Sequence, residues 1–154
     1  MRAGQRNGKA DELRRNDGPG SGLKTMQLER HPDCIFCNAA KSLGLELRWI
    51  DGAEGEIGVQ FRCDDRFQSY PGVVHGGVIS LLFDGVMTNR LFAEGKTAVT
   101  GELKVRYVES VPIGRDLVLS ARIVQSRPPY HRLEADLRCK GRILAKAAAK
   151  FMEV

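Results

Sequence analysis

The chain has 154 residues, 42% of them hydrophobic, which suits one domain with a real core and a tail beside it. No apolar run approaches the roughly 20 residues of a membrane span, and the polar, basic N-terminus carries no secretory signal; no membrane partner is expected, and the default location is the cytoplasm. The net charge is +5, but +3 of it falls in residues 1–30, so the remainder is only mildly basic: nucleic acid is the weaker expectation, and an anionic small ligand the better one.

Residues 1–26 are rich in Gly, Arg, Asn, Asp and Lys and have little to bury, so a disordered basic tail is expected there, with one domain over 27–154. Met26 stands where the tail stops and is an alternative start. Residues 34–43 read as a short helix or turn. Leu45 to Ile50 alternates like a strand, Asp51 to Gly55 is turn chemistry, and Glu56 to Cys63 reads as the second strand of a hairpin. Asp64 to Gly72 is a loop that ends on Pro71-Gly72.

From Gly76 to Glu94 the pattern changes. Val78, Ile79, Leu81, Leu82, Phe83, Val86, Met87, Leu91 and Phe92 leave almost no polar face, which predicts a buried helix closed by Gly95. Four alternating segments follow. In the first, Val99, Gly101, Leu103, Val105 and Tyr107 share one face, and Thr100, Glu102, Lys104 and Arg106 the other. The rest are centred on Leu117–Ile123, Leu133–Leu137 and Ile143–Phe151. Their short connections imply antiparallel neighbours. The order predicts an α+β fold: a largely antiparallel sheet wrapped around a long central helix.

Asp84 lies between Phe83 and Gly85 in the most apolar part of the chain. A carboxylate there is costly to desolvate unless it is paired or functional. Gly76-Gly77 opens the same helix, where free N–H groups and the helix dipole can stabilise an oxyanion. His75 stands at the entry, more as an organiser of the turn than as a base. Asp84 follows His75 by nine residues, roughly 13 Å along a helix at about 1.5 Å per residue. The two ends cannot serve one atom within a single chain. A two-fold axis that sets Asp84 of one protomer beside Gly76 of its partner would unite them.

Residues Tyr70 to Asp84, with His75-Gly76-Gly77 followed by an acid nine positions after the His, resemble the signature of the hotdog-fold thioesterases, in the branch that includes the phenylacetate-pathway enzymes. Thr97 to Tyr107 resembles the strand that follows the central helix in that family, and the likeness covers roughly residues 34–153. The resemblance implies a hotdog fold and hydrolysis of an acyl-CoA thioester at a homodimer interface, in a dimer or tetramer. It implies Asp84 as general base or nucleophile, the Gly76 N–H as the group that polarises the carbonyl, and His75 as organiser of the turn. Thr100 falls where some members carry a hydroxyl that places water. The family's amide six residues before the His is here Ser69, with Gln68 beside it. Gln68, Val74 and Gly77 are expected to line the substrate.

Arg127, His131 and Arg132 flank the Pro128-Pro129 turn and are expected near the phosphates of coenzyme A, with a solvated hairpin tip as the alternative. His31, Cys34 and Cys37 offer three metal ligands where a structural site takes four, and Cys63 could add one only if the fold brings it close. Packing is expected there, with no metal and no cofactor. A disulfide framework is not expected from the four cysteines. Two other functions compete: a non-catalytic acyl-CoA sensor, and a hotdog dehydratase, which the His-to-Asp arrangement disfavours.

Overall fold

The computed structural model describes residues 21–38 and 44–154. Its elements in chain order are α1 (Ser21–Arg30), β1 (Arg48–Asp51), β2 (Glu56–Phe61), a 3-10 turn (Asp65–Phe67), α2 (Gly76–Phe92), β3 (Ala98–Tyr107), β4 (Leu117–Arg127), β5 (Tyr130–Cys139) and β6 (Arg142–Glu153). The six strands form one sheet in the order β1-β2-β4-β5-β6-β3, antiparallel throughout. Helix α2 packs on this sheet from β2 to β6. The expected α+β layout is the one observed.

Why the helix fits is visible in the ladder. Ala121 of β4 faces Ala135 of β5, which faces Ala147 of β6. This row of three small residues leaves room at the middle of the sheet, and bulky α2 side chains such as Phe83 and Met87 are fully buried in the core. Leu133 and Leu137 each oppose an alanine, Ala149 and Ala145, so large and small residues interdigitate.

Helix α2 ends as its sequence dictates. Gly95 takes φ +71°, its N–H reaches Phe92 O at 2.9 Å, and the Lys96 N–H reaches Leu91 O at 3.0 Å. These are the paired bonds of a glycine-closed C-terminus.

Three expectations need correction. The tail was expected to run to residue 26, but Ser21–Arg30 is helix α1, with Leu23 buried in the core; residues 1–20 lie outside the described residues. The first strand is shorter than expected, with Leu45 and Leu47 packed against the core from irregular chain. Of the helix or turn expected over 34–43, the described part is turns, and residues 39–43 lie outside the described residues.

Burial along α2 is also uneven. From Gly85 to Phe92 every residue is buried, whereas Gly77 is exposed and Val78, Leu81 and Asp84 are half-buried. The C-terminal half is sealed on its outer side by α1 and by Phe36, which crosses directly over Gly85.

Candidate active site

Gly76, Ser80, Asp84 and Thr88 recur every four residues, so they form one narrow polar line along α2. This line faces β3, the sheet's edge strand. The Thr100 Oγ1 hydroxyl donates to Asp84 Oδ1 at 2.5 Å. At the other end, the Tyr107 hydroxyl donates to Gly76 O at 2.8 Å and lies 2.9 Å from Ser80 Oγ. Strand β3 therefore runs antiparallel to α2 and grips the polar line at both ends.

Thr100 gets there through a bulge. The β3–β6 register pairs Thr100 with Phe151 but Glu102 with Lys150, so Gly101 is the extra residue. Thr100 opposes the inward-facing Phe151, and Leu103, Val105 and Tyr107 oppose the inward-facing Ala149, Ala147 and Ala145. Strict alternation placed Thr100 on the opposite face from these residues; the bulge brings it onto their face. Val99, expected to face inward, instead points outward and is 52% exposed.

Asp84 itself is half-buried rather than deeply buried as its apolar neighbours suggested. It meets Thr100 of the edge strand β3, while Phe83 and Val86 point into the core. Removal of its partner should be felt directly. A hydrogen bond to a charged group is worth about 1.5–3 kcal/mol, so Thr100→Val is expected to lower kcat by roughly tenfold or more with thermal stability near wild type, read by steady-state kinetics beside a melting curve.

His75 is the N-cap of α2. Its Nδ1 accepts the Gly77 N–H at 2.9 Å, which leaves Nε2 as the protonated nitrogen of the neutral ring. This bond braces the entry to the helix. The same bond occupies the Gly77 N–H. The Gly76 N–H has no acceptor among the described residues, and it sits at the positive end of the helix. A Cβ on Gly76 would lie 3.3 Å from the Tyr107 hydroxyl, so the glycine permits the close approach of that ring.

The remaining expected residues divide. Ser69 is exposed, its N–H bonded to Val73 O at 2.9 Å. Gln68 is exposed, but its Oε1 accepts the Gly72 N–H at 3.3 Å and so braces the loop. Val74, expected to line the substrate, is 2% exposed, with its side chain in the core. His131, expected near phosphates, is fully buried on the inner face; Nδ1 lies 2.9 Å from Ser126 Oγ and Nε2 2.6 Å from Glu153 Oε1. Alternation explains the correction: His131 points inward with Leu133, while Arg132 points outward. Arg127, opposite Tyr130 at the hairpin tip, is also exposed.

Ser80 and Tyr107 were not anticipated. The four-residue repeat Gly76-Ser80-Asp84-Thr88 was a usable signal for Ser80; nothing local pointed to the Tyr107 contact. On another face of α2, a small apolar cleft opens between Phe36, Leu45, Phe67, Val78 and Leu81. Cys63, raised as a fourth metal ligand, does not join His31, Cys34 and Cys37. It is fully buried, and burial pushes its thiol up to about 11.

The family model of the thioesterase superfamily matches residues 71–145, the span that holds α2, β3 and most of the sheet. Over 113 residues the chain is 22% identical to acyl-coenzyme A thioesterase 13 of Homo sapiens, covering 71% of this chain and 80% of that protein. A Streptococcus mutans protein solved with acetyl CoA superposes with a TM-score of 0.67 at 22% identity, over 71% of this chain and 89% of that one. A solved thioesterase superfamily protein gives a TM-score of 0.65 at 24% identity over 69% of this chain; the chain spans only about half, 55%, of that protein's length. The chain has the hotdog fold, and the stretch that matches the thioesterase superfamily model, residues 71–145, holds its central helix and most of its sheet.

Proposed function

We propose that this protein hydrolyses an acyl-CoA thioester to the free acid and CoA, in a site shared by two protomers. The observation that carries this is the Asp84–Thr100 pair on the same helical line as the free Gly76 N–H. The carboxylate of Asp84, aimed by Thr100, takes a proton from the attacking water, or attacks the carbonyl itself to give a mixed anhydride that water then hydrolyses to the acid and the free carboxylate. The oxyanion that forms is stabilised by the Gly76 N–H at the helix N-terminus. Its collapse expels the CoA thiolate, which takes up a proton. The spacing of the His75-Gly76-Gly77 motif and Asp84 favours the branch that includes the phenylacetate-pathway enzymes. The human relative is named for acyl-coenzyme A hydrolysis, and the Streptococcus mutans structure holds acetyl CoA, which supports this ligand class.

Eight residues separate Gly76 from Asp84, roughly 12 Å along the axis at about 1.5 Å per residue, too far for one carbonyl. Strand β3 has an unpaired edge, with Val99 52% and Tyr107 50% exposed. A second copy paired along β3 would continue the sheet and bring the two α2 helices side by side, with Gly76 of one near Asp84 of the other. Such pairs could assemble further into tetramers. Ser69 is the remaining candidate for positioning water. Gly77 shapes the turn, Leu81 and Phe36 border the acyl cleft, and Arg127 and Arg132 offer outward-facing charge to the CoA phosphates. The four cysteines are free thiols, which suits the cytoplasm.

Subunit mixing tests the shared site. Asp84→Ala and Gly76→Pro are each expected to be nearly inactive. Proline is tolerated at the first helical position and removes the N–H; its ring also crowds the Tyr107 hydroxyl, so a melting curve accompanies this variant. A hybrid dimer carries both defects in one site and neither in the other, so about half of wild-type activity should return. A fully active monomer would sink the shared-site reading. Tight acyl-CoA binding with no turnover on any acyl chain would favour the sensor instead.

A further inference from the structure

Away from the Asp84 site, His31, Cys34 and Cys37 each present one donor atom, and the three lie within 4.8 Å of one another. Cys37 Sγ is 3.7 Å from His31 Nδ1. An ion held tetrahedrally at about 2.3 Å from sulfur and about 2.0–2.1 Å from nitrogen gives an S···N edge of about 3.6 Å. The observed separation is already that of two ligands on one ion. Both sulfurs also accept hydrogen bonds, from the Phe36 N–H to Cys34 at 3.4 Å and from Asn89 Nδ2 to Cys37 at 3.5 Å. Donors aimed at sulfur fix the direction of the ligand atoms.

The surroundings are built to match. Asn89 is fully buried, held by Gln27 Nε2 at 2.5 Å and by its own bond to Gly85 O at 2.7 Å. The His31 ring stands edge-on to Phe92, with centroids 4.9 Å apart at 82°. Cys34 N–H reaches His31 O at 3.3 Å, which tightens the turn that carries all three ligands. Thus α1 and α2 both supply the outer shell of a cluster that lies on neither helix.

We propose that His31, Cys34 and Cys37 bind one soft divalent cation of the zinc class. The two-sulfur, one-nitrogen set excludes magnesium and calcium, which take oxygen ligands. Among the described residues no fourth His, Cys, Asp or Glu joins the cluster, and all three ligands are half-buried, so the fourth position is open to water. Packing alone was expected here because only three ligands were in view. Their convergence, and the N–H donors on both sulfurs, reverse that expectation. Binding of the ion displaces the two thiol protons to solvent. The consequence is mechanical: the ion locks residues 31–37 into one turn, which the Asn89–Cys37 hydrogen bond ties to α2, and so holds Phe36 over Gly85.

The test is Co2+ titration of the full chain, stripped of metal by chelator and kept reduced. The expected result is one ion per chain, with the near-ultraviolet absorption of a thiolate–cobalt bond, the visible bands of a tetrahedral ion, and displacement by Zn2+. Cys34→Ser and Cys37→Ser should each diminish the thiolate band and weaken affinity by roughly tenfold or more. His31→Ala should weaken affinity but keep the band, which separates loss of a ligand from loss of the fold. Absence of the thiolate band in wild type overturns the proposal. So does a band that survives unchanged in both serine variants. Because the wild-type spectrum is itself decisive, a variant that fails to fold does not leave the question open.

Discussion

Asp84→Asn is expected to lower kcat for acyl-CoA hydrolysis by about 10²–10⁴, the range over which a positioned general base contributes, with KM changed little. Asparagine keeps the shape of the side chain and can still meet the Thr100 hydroxyl, which lies 2.5 Å from the carboxylate. What it removes is the charge and the capacity to take a proton. Equal losses in kcat and kcat/KM would place the interaction in the transition state alone. Release of free CoA from a panel of acyl-CoAs is the measurement, with melting curves alongside. A kcat within a few-fold of wild type would remove Asp84 from the chemistry. Asp84 is half-buried and faces the sheet edge, so the substitution should leave stability nearly unchanged. The two readouts therefore separate cleanly.

The second large effect concerns the neighbouring residue. Gly85→Ala should destabilise the protein, although alanine is the better helix former by roughly 1 kcal/mol. A Cβ at this position would lie 2.4 Å from atoms of the Phe36 ring, and that ring is itself buried. A contact so short cannot be relieved by moving the tip of a flexible chain, so the segment that carries Phe36 must shift. Overpacking of this kind costs about 1–3 kcal/mol and occasionally more. At roughly 2–4 °C per kcal/mol for a chain of this size, a fall of several degrees in Tm is expected. A double-mutant cycle with Phe36→Ala is the decisive check. Phe36→Ala alone should destabilise by opening a cavity, and the cost of Gly85→Ala should largely vanish in its background. If Gly85→Ala raises Tm in the wild-type background, the close crossing of Phe36 over α2 is wrong.

The two predictions read opposite sides of one helix. Toward β3, α2 presents the polar line that ends in Asp84. Toward residues 31–37, it presents Gly85, a flat spot on which Phe36 rests. Anything that lifts that segment loosens the wall of the apolar cleft, because Phe36 borders both the cleft and Gly85. Stability of the N-terminal segment and selectivity for the acyl group should therefore be coupled.

Much of this was legible in the sequence because it is local. The 3.6-residue and two-residue periods announced α2 and the four strands after it; Gly95 announced where the helix stops; and His75-Gly76-Gly77 with Asp84 marked the two ends of the site. Tertiary structure decided what depends on distant partners. The alternation of β3 gave no sign of the bulge at Gly101, which is defined only against β6, and that bulge is what turns Thr100 toward Asp84. The same dependence on neighbours buried His131 and kept Asp84 at the sheet edge. It made helix α1 of a segment whose composition reads as tail, because Leu23 finds a core to enter and Gln27 finds Asn89. Periodicity reports which face of an element is apolar; it cannot report what lies against that face. Thus the sequence by itself determined the architecture and named the candidate residues, Thr100 among them through the family resemblance, while only the packed chain decided how Thr100 reaches Asp84, and that His31, Cys34 and Cys37 stand together.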